Sequence, residues 1–245
     1  MRRPARLLAA AALAWGLFAG DAGAQSVSVD LGAGGTVTAQ LVRLVVLVTV
    51  LSLAPSILVM ITSFTRVVVV LAFLRSALGL QQTPPNAVLI SLALFVTAFI
   101  MAPTLEQAYR EGLAPLLAED IDEMAAFERA MAPFRTFMLA QVRPKDLELF
   151  LDIGDLPELE RPEDTPLRAL IPAFMISELR RAFEIGFLIF VPFLVIDMVV
   201  ASILMSMGMM MLPPVLISLP FKLIFFVLVD GWYLVVGSLV ESFAP

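Results

Sequence analysis

The sequence predicts an all-α, polytopic membrane-type protein made of kinked helical hairpins in an oligomer. Three observations point there. The chain is 60% hydrophobic and only 16% charged, with a mean hydropathy of +0.95, a balance typical of membrane chains. Its apolar residues fall into four long units with short punctuation between them. Prolines at 55, 103, 172, 192 and 220 interrupt those units, and kinked apolar helices are tolerated where neighbours satisfy the freed backbone groups.

Composition also excludes chemistry. The chain has no cysteine and no histidine, so disulfides, thiol nucleophiles, histidine proton shuttles and ordinary zinc sites are ruled out. No cofactor or metal is expected. Net charge is −6, and no basic run with interleaved aromatics occurs, so nucleic acid is not an expected partner.

Residues 1–24 read as a cleaved signal peptide. Arg2, Arg3 and Arg6 form a positive start, Leu7–Phe18 an apolar stretch, and Ala22-Gly23-Ala24 an A-x-A cleavage site, with cleavage after Ala24. The apolar stretch is shorter than the ~20 residues a span needs. Residues 25–38 are a flexible leader rich in serine, valine and glycine.

Residues 39–105 hold the N-terminal hydrophobic helices. The segment 39–62 contains Arg43 and Pro55, and Pro55 predicts a kink or a break. Ser63 is an N-cap candidate for the next piece. Val67–Leu74, ended by Arg75 and Gly79, is too short to span alone. It either continues the first helix or forms a separate half-helix. The stretch 81–86 with its double proline stops it, and Asn86 is placed to cap a second span, Ala87–Met101, ending near Pro103. The loop between the spans carries Arg66 and Arg75 and no acid, which places it on the cytoplasmic side. An exported N-terminus gives the same orientation.

Residues 106–182 differ in character. They hold 16 acidic residues against 9 basic ones, a local net of −7. Met124, Phe127, Met131, Phe134, Phe137 and Met138 fall on one helical face. The segment reads as a small acidic helical domain in the periplasm, of a protein of the bacterial inner membrane. Its acid run at 119–123 has no metal-ligand spacing.

Residues 183–245 form a C-terminal hairpin: Phe183–Met205, a turn, then Val215–Val240. The turn carries Met207, Met209, Met210 and Met211 where polar residues are usual. Methionine is flexible and polarizable. A turn packed on nearby helices and a surface that closes on itself or on neighbouring copies both fit.

Charges inside these segments are costly and mark function by default. Asp197 lies about ten residues before the turn and Lys222 about eight after it, so they sit at similar depth and can pair. Asp230 is the third membrane-buried charge. An Asp197–Asp230 acid dyad would need two carboxylates in contact, but counting along the helix separates them by about 12 Å, which argues against an intramembrane aspartyl protease. Channel, solute or ion transporter subunit and secretion component stay open on these grounds.

Long motifs narrow the choice. The stretches Ile61-Thr-Ser-Phe-Thr-Arg66, Arg75-Ser-Ala-Leu-Gly79 and Pro84-Pro-Asn86 closely resemble the FliP/SctR family of flagellar type III secretion export-gate proteins. So do Ile171-Pro-Ala-Phe174, Ser177-Glu-Leu179, Ala182-Phe-Glu-Ile-Gly186, Phe190-Val-Pro-Phe193 and Asp197. Met209-Met-Met211, Pro213-Pro214, Leu219-Pro-Phe-Lys222 and Val229-Asp-Gly-Trp232 complete the likeness, which covers residues 40–245. The signal peptide and the long acidic segment favour the flagellar branch over the injectisome branch.

The resemblance implies a non-enzymatic, pore-forming subunit of the export gate. It implies several copies, expected to be five, assembled with FliQ and FliR into a helical or ring-like oligomer, working with FlhA, FlhB and membrane lipid at the flagellar basal body. Unfolded flagellar subunits would pass through the centre. It also implies that Met209, Met210 and Met211, with Met207 in addition, form a gasket, and that helices need not cross the bilayer in simple fashion.

Overall fold

The computed structural model describes residues 37–156, 161–209 and 211–243. The expected signal peptide with its Ala24 cleavage position, residues 25–36 of the leader, and Met210 lie outside the described residues. All regular structure among the described residues is helical. Two packing units divide the chain, the first ending at Ser52, and the packing that follows is within the second.

Helix α1 (Val37–Met60) runs on through position 55, so Pro55 does not end it. A proline costs one backbone bond and a local clash, and the apolar residues on both sides keep the helix going. The break falls at 61–63, which makes α2 (Phe64–Ala77) a separate short helix. Ser63 occupies its N-cap position, but its hydroxyl makes no cap and is buried without a partner.

Helix α2 ends in a Schellman turn. Gly79 takes a left-handed φ of +78°, Gly79 N–H donates to Ser76 O at 3.0 Å and Leu80 N–H to Arg75 O at 3.1 Å. Pro85, not Asn86, holds the N-cap position of α3 (Asn86–Ala108). Asn86 instead accepts from Arg75 Nη1 at 2.6 Å and so ties the loop back to α2.

The second apolar helix does not stop at Pro103. It continues through a π-turn (Tyr109–Leu113) into α4 (Ala114–Leu117), a rod of 32 residues from Asn86 to Leu117. Gly112 lies in that π-turn against helix α5 (Glu123–Gln141). A Cβ there would stand 2.6 Å from Ala130 Cβ and 2.8 Å from Ala126 O, so only glycine permits this approach. Asp122 caps α5 by accepting from Ala125 N–H at 2.7 Å. Phe134 and Met138 of its apolar stripe are buried, while Met124 and Phe127 are exposed.

After α6 (Pro144–Ile153) and a 3₁₀ turn at Pro162–Asp164, α7 (Leu167–Ser206) runs for 40 residues through Pro172 and Pro192. The boundaries expected at 105/106 and 182/183 therefore fall inside helices. Nor does the middle segment have a core to itself: Phe134, Met138, Leu170 and Phe174 pack with Ile61 and Met101. Composition changes along α3 and α7, but nothing ends either helix where it changes.

The first half of α7 docks on α6 through Asp146, which is buried. Ser177 Oγ donates to Asp146 Oδ2 at 2.6 Å, and Arg143 Nη2 donates to Oδ1 at 2.9 Å. Burial alone would raise this carboxyl. The hydrogen bonds from Ser177 and Arg143, with the Arg143 charge, outweigh it and hold the group below its ordinary value of 3.8.

Helices α2 and α7 pack closely. Gly186 faces Phe73, where a Cβ would come within 2.5 Å of the ring, and Phe73 meets Phe183 edge-on at 5.1 Å. At one end of this contact lies Arg66. It was expected on a cytoplasmic loop, yet its side chain is 0% exposed. Its Nε donates to Glu178 Oε2 at 2.9 Å and its Nη2 to Glu178 Oε1. Nη2 also donates to Gln141 Oε1 at 3.0 Å, and Nη1 donates to Ser242 Oγ and O at 3.0 and 3.1 Å. The guanidinium lies 3.7 Å over the Phe243 ring. Arg66 thus joins α2, α5, α7 and the chain's C-terminal end. It cannot count as a loop charge, so it carries no weight in assigning an orientation.

Two predictions follow from these contacts. Arg66→Ala or Glu178→Ala leaves a buried partner unpaired and should cost about 3–5 kcal/mol, whereas Arg66→Met with Glu178→Met should recover most of that. Melting of the detergent-solubilised protein measures it, and a wild-type melt for either single variant would refute the role. Separately, the lowered Asp146 group stabilises the fold above its unfolded value. That contribution fades as pH falls below about 4 and is gone beneath the folded value. Asp146→Asn should flatten the loss of stability between pH 5 and pH 2, and an unchanged acid profile would contradict the assignment.

Candidate functional site

The hairpin beyond Asp197 is where sequence and geometry converge. Helix α7 ends in a second Schellman turn. Gly208 adopts φ +75°, Gly208 N–H donates to Met205 O at 3.1 Å and Met209 N–H to Leu204 O at 3.0 Å. Pro213 holds the N-cap position of α8 (Pro214–Leu228), and Pro214 starts it. The reversal is tight because glycine takes the left-handed turn and proline presets the next helix.

Three described methionines of this turn face outward. Met207 is 65% exposed, Met209 44% and Met211 98%. Met211 is almost fully uncovered and Met207 largely so, while more than half of the Met209 surface is covered. Behind the turn, α7 and α8 enclose a groove of about 500 Å³ lined by residues such as Val199, Ile203, Leu204, Ile217, Phe221 and Phe225. It has no ionisable lining residue. Outward-facing Val195, Met198, Leu216 and Ile224 extend the apolar surface.

At the base of the hairpin stands an ion pair. Lys222 Nζ donates to Asp197 Oδ2 at 2.6 Å and to Ala77 O at 3.1 Å. Ser218 Oγ donates to Asp197 Oδ1 at 2.5 Å. The lysine side chain is 4% exposed and the aspartate 28%. Both carboxylate oxygens are engaged. Because Ala77 closes α2, Lys222 also meets the negative end of that helix. Ser218 and the Ala77 carbonyl were not singled out from sequence. The carbonyl gives no sequence signal at all, while Ser218, one turn before Lys222, was legible as a same-face neighbour.

Asp230 is placed differently from expectation. The segment Val215–Val240 is not one helix. It bends by 63° between α8 and α9 (Gly231–Glu241), and Asp230 sits exposed at the corner with φ +51°. The reason lies next door. A Cβ at Gly231 would stand 2.1 Å from the Phe226 ring, so the chain turns around that ring on a glycine. An aspartate tolerates the left-handed conformation better than the apolar residues around it. Asp230 shares no hydrogen bond with Asp197, and the aspartyl dyad has no geometric basis here.

Two helical rods, Asn86–Leu117 and Leu167–Ser206, are long and apolar enough to cross a membrane. The bent pair α8–α9 is a third if taken as one broken span. Among the described residues no cluster of acidic groups could hold a metal ion.

Comparison with known proteins places this architecture. The model of the FliP family matches residues 47–239. The flagellar biosynthetic protein FliP of Caulobacter vibrioides is 61% identical over 244 residues, covering 99% of this chain and 92% of that protein. Its counterpart in Rhizobium meliloti is 55% identical, over 92% of this chain and 94% of the relative. That of Bacillus subtilis is 56% identical, over 82% and 91%.

Replacing Lys222 by alanine removes the cation paired with Asp197 and uncaps Ala77. The expected cost is about 3 kcal/mol, with a lower yield of folded protein from membranes. Wild-type yield and melting in that variant would show that the pair does not hold the hairpin base.

Proposed function

The chain belongs to the FliP family, and on that premise we propose that it is a pore-forming core subunit of the flagellar type III protein export gate. The observation that carries the proposal is the set of exposed methionines at the tip of an apolar hairpin that its own chain leaves uncovered. Relatives at 50–61% identity are named as flagellar biosynthetic proteins, and the chain is a flagellar biosynthesis protein rather than an enzyme. Apolar rods long enough to cross a membrane fit a protein associated with one.

In this reading several copies, five on the family expectation, set their hairpins round an axis with FliQ and FliR. FlhA and FlhB lie alongside, at the inner membrane. Met207, Met209, Met210 and Met211 of each copy point inward at the narrowest level. Thioethers are apolar enough to exclude ions and water and flexible enough to part around an unfolded chain of any sequence. They make few directional bonds, so the moving chain is not held. The groove between α7 and α8 and the outward apolar side chains are then the surfaces that neighbouring subunits cover. A transporter of ions or solutes would need an open polar site in the hairpin. Asp197 and Lys222 are instead engaged with each other, with Ser218 and with Ala77 O.

Substituting alanine at Met209, Met210 and Met211 together should leave assembly intact and make the membrane leak small ions. Conductance or salt sensitivity of cells carrying the variant measures this. An assembled variant that stays ion-tight would rule out the gasket.

A further inference from the structure

A second pocket lies away from the hairpin tip, and nothing above uses it. Leu74, Leu78 and Leu80 at the end of α2, Leu89 of α3, and Phe226 and Trp232 at the α8–α9 corner line it, among others. Its volume is about 190 Å³. Arg75 stands at the same pocket. Its guanidinium spends Nη1 on Asn86 Oδ1 and Pro84 O. No carboxylate pairs with it among the described residues, whereas the buried cations Arg66 and Lys222 each hold one.

We propose that this pocket takes an acyl chain of an anionic phospholipid whose phosphate is bound by Arg75. Arginine stays charged at any physiological pH and its planar fork suits phosphate oxygens. The free Nε and Nη2 donors provide that fork. The lining is aliphatic and aromatic. The pocket is too small for a helix, which is 10–12 Å wide with its side chains, but it accepts part of one lipid chain. Its surroundings suit lipid as well: Val88, Val227 and Leu228 are exposed beside it, a membrane-length rod starts at Asn86, and Trp232 is an interfacial residue type. A free phosphate would find the arginine but leave the apolar pocket empty.

The inference rests on membrane placement of these helices and not on the gasket. The test is native mass spectrometry of the full chain, delipidated in detergent and then titrated with phosphatidylglycerol or phosphatidylcholine of the same acyl composition. The expected result is one phosphatidylglycerol retained per chain, preferred about fivefold, the factor one basic side chain contributes at an anionic surface. Arg75→Gln should abolish the preference and Arg75→Lys should keep part of it. Leu89→Trp should fill the pocket and lose the lipid with Arg75 in place, and it decides alone if Arg75→Gln disturbs the loop. Inorganic phosphate should not displace the lipid. Equal retention of the two lipids by wild type, unchanged retention in Leu89→Trp, or displacement by phosphate would each overturn the inference. Normal export with no lipid preference sinks this inference alone. An intact lipid preference in a chain without gasket behaviour sinks the export reading alone.

Discussion

The structure depends on one buried arginine. Arg66 enters the bundle with a full charge and finds Glu178, Gln141, Ser242 and the face of Phe243 around it. Desolvating both charges of a buried pair costs about as much as their attraction returns. The gain is therefore in arrangement more than in stability. A helix α2 slipped by one turn, or a C-terminal end left undocked, would bury a guanidinium without its acceptors. Such an arrangement is penalised far more than an equivalent slip between purely apolar helices. Long apolar helices pack in many registers of similar energy, and a polar cluster at one depth selects among them.

A second polar contact fixes the other end of α2. Lys222 reaches across from α8 to Ala77 O and Asp197, so the same short helix is held by a cation at each end. Between the two anchors the contacts are close and apolar, with Gly186 admitting the Phe73 ring. Beyond the second anchor the α7–α8 hairpin continues with many of its apolar side chains exposed. The anchored part and the projecting part have different chemistry: satisfied charges in one, uncovered aliphatics and methionines in the other. That division suits a subunit whose fixed frame presents an adaptable tip to neighbours.

Backbone breaks are used sparingly and at defined places. Prolines 103, 172, 192 and 220 lie within helices, because one lost hydrogen bond does not end a helix whose flanks are strongly apolar. Three of the corners lie at glycines: Gly79, Gly208 and Gly231. The first two take left-handed conformations, and the third yields to an aromatic ring. At Gly231 the Phe226 ring leaves no room for a Cβ, so the corner is closed on a glycine.

Much was legible in the residues themselves. The helical class follows from hydropathy and periodicity, the family from long motifs, and the proximity of Asp197 to Lys222 from equal spacing about a turn, since helical rise converts residue counts into depth. What sequence could not supply were contacts that depend on where distant helices lie. Arg66 reads as a loop charge until Glu178, 112 positions away, is brought beside it. Asp230 reads as a buried charge until the 63° bend between α8 and α9 leaves it exposed at the corner. The middle segment reads as a domain because its charge differs, yet it shares a core with Ile61 and Met101. Local chemistry sets which helices can form and which residues must find partners. Only packing in three dimensions decides which partners they find, because the free energy of a buried charge is a property of its surroundings and not of its position in the chain.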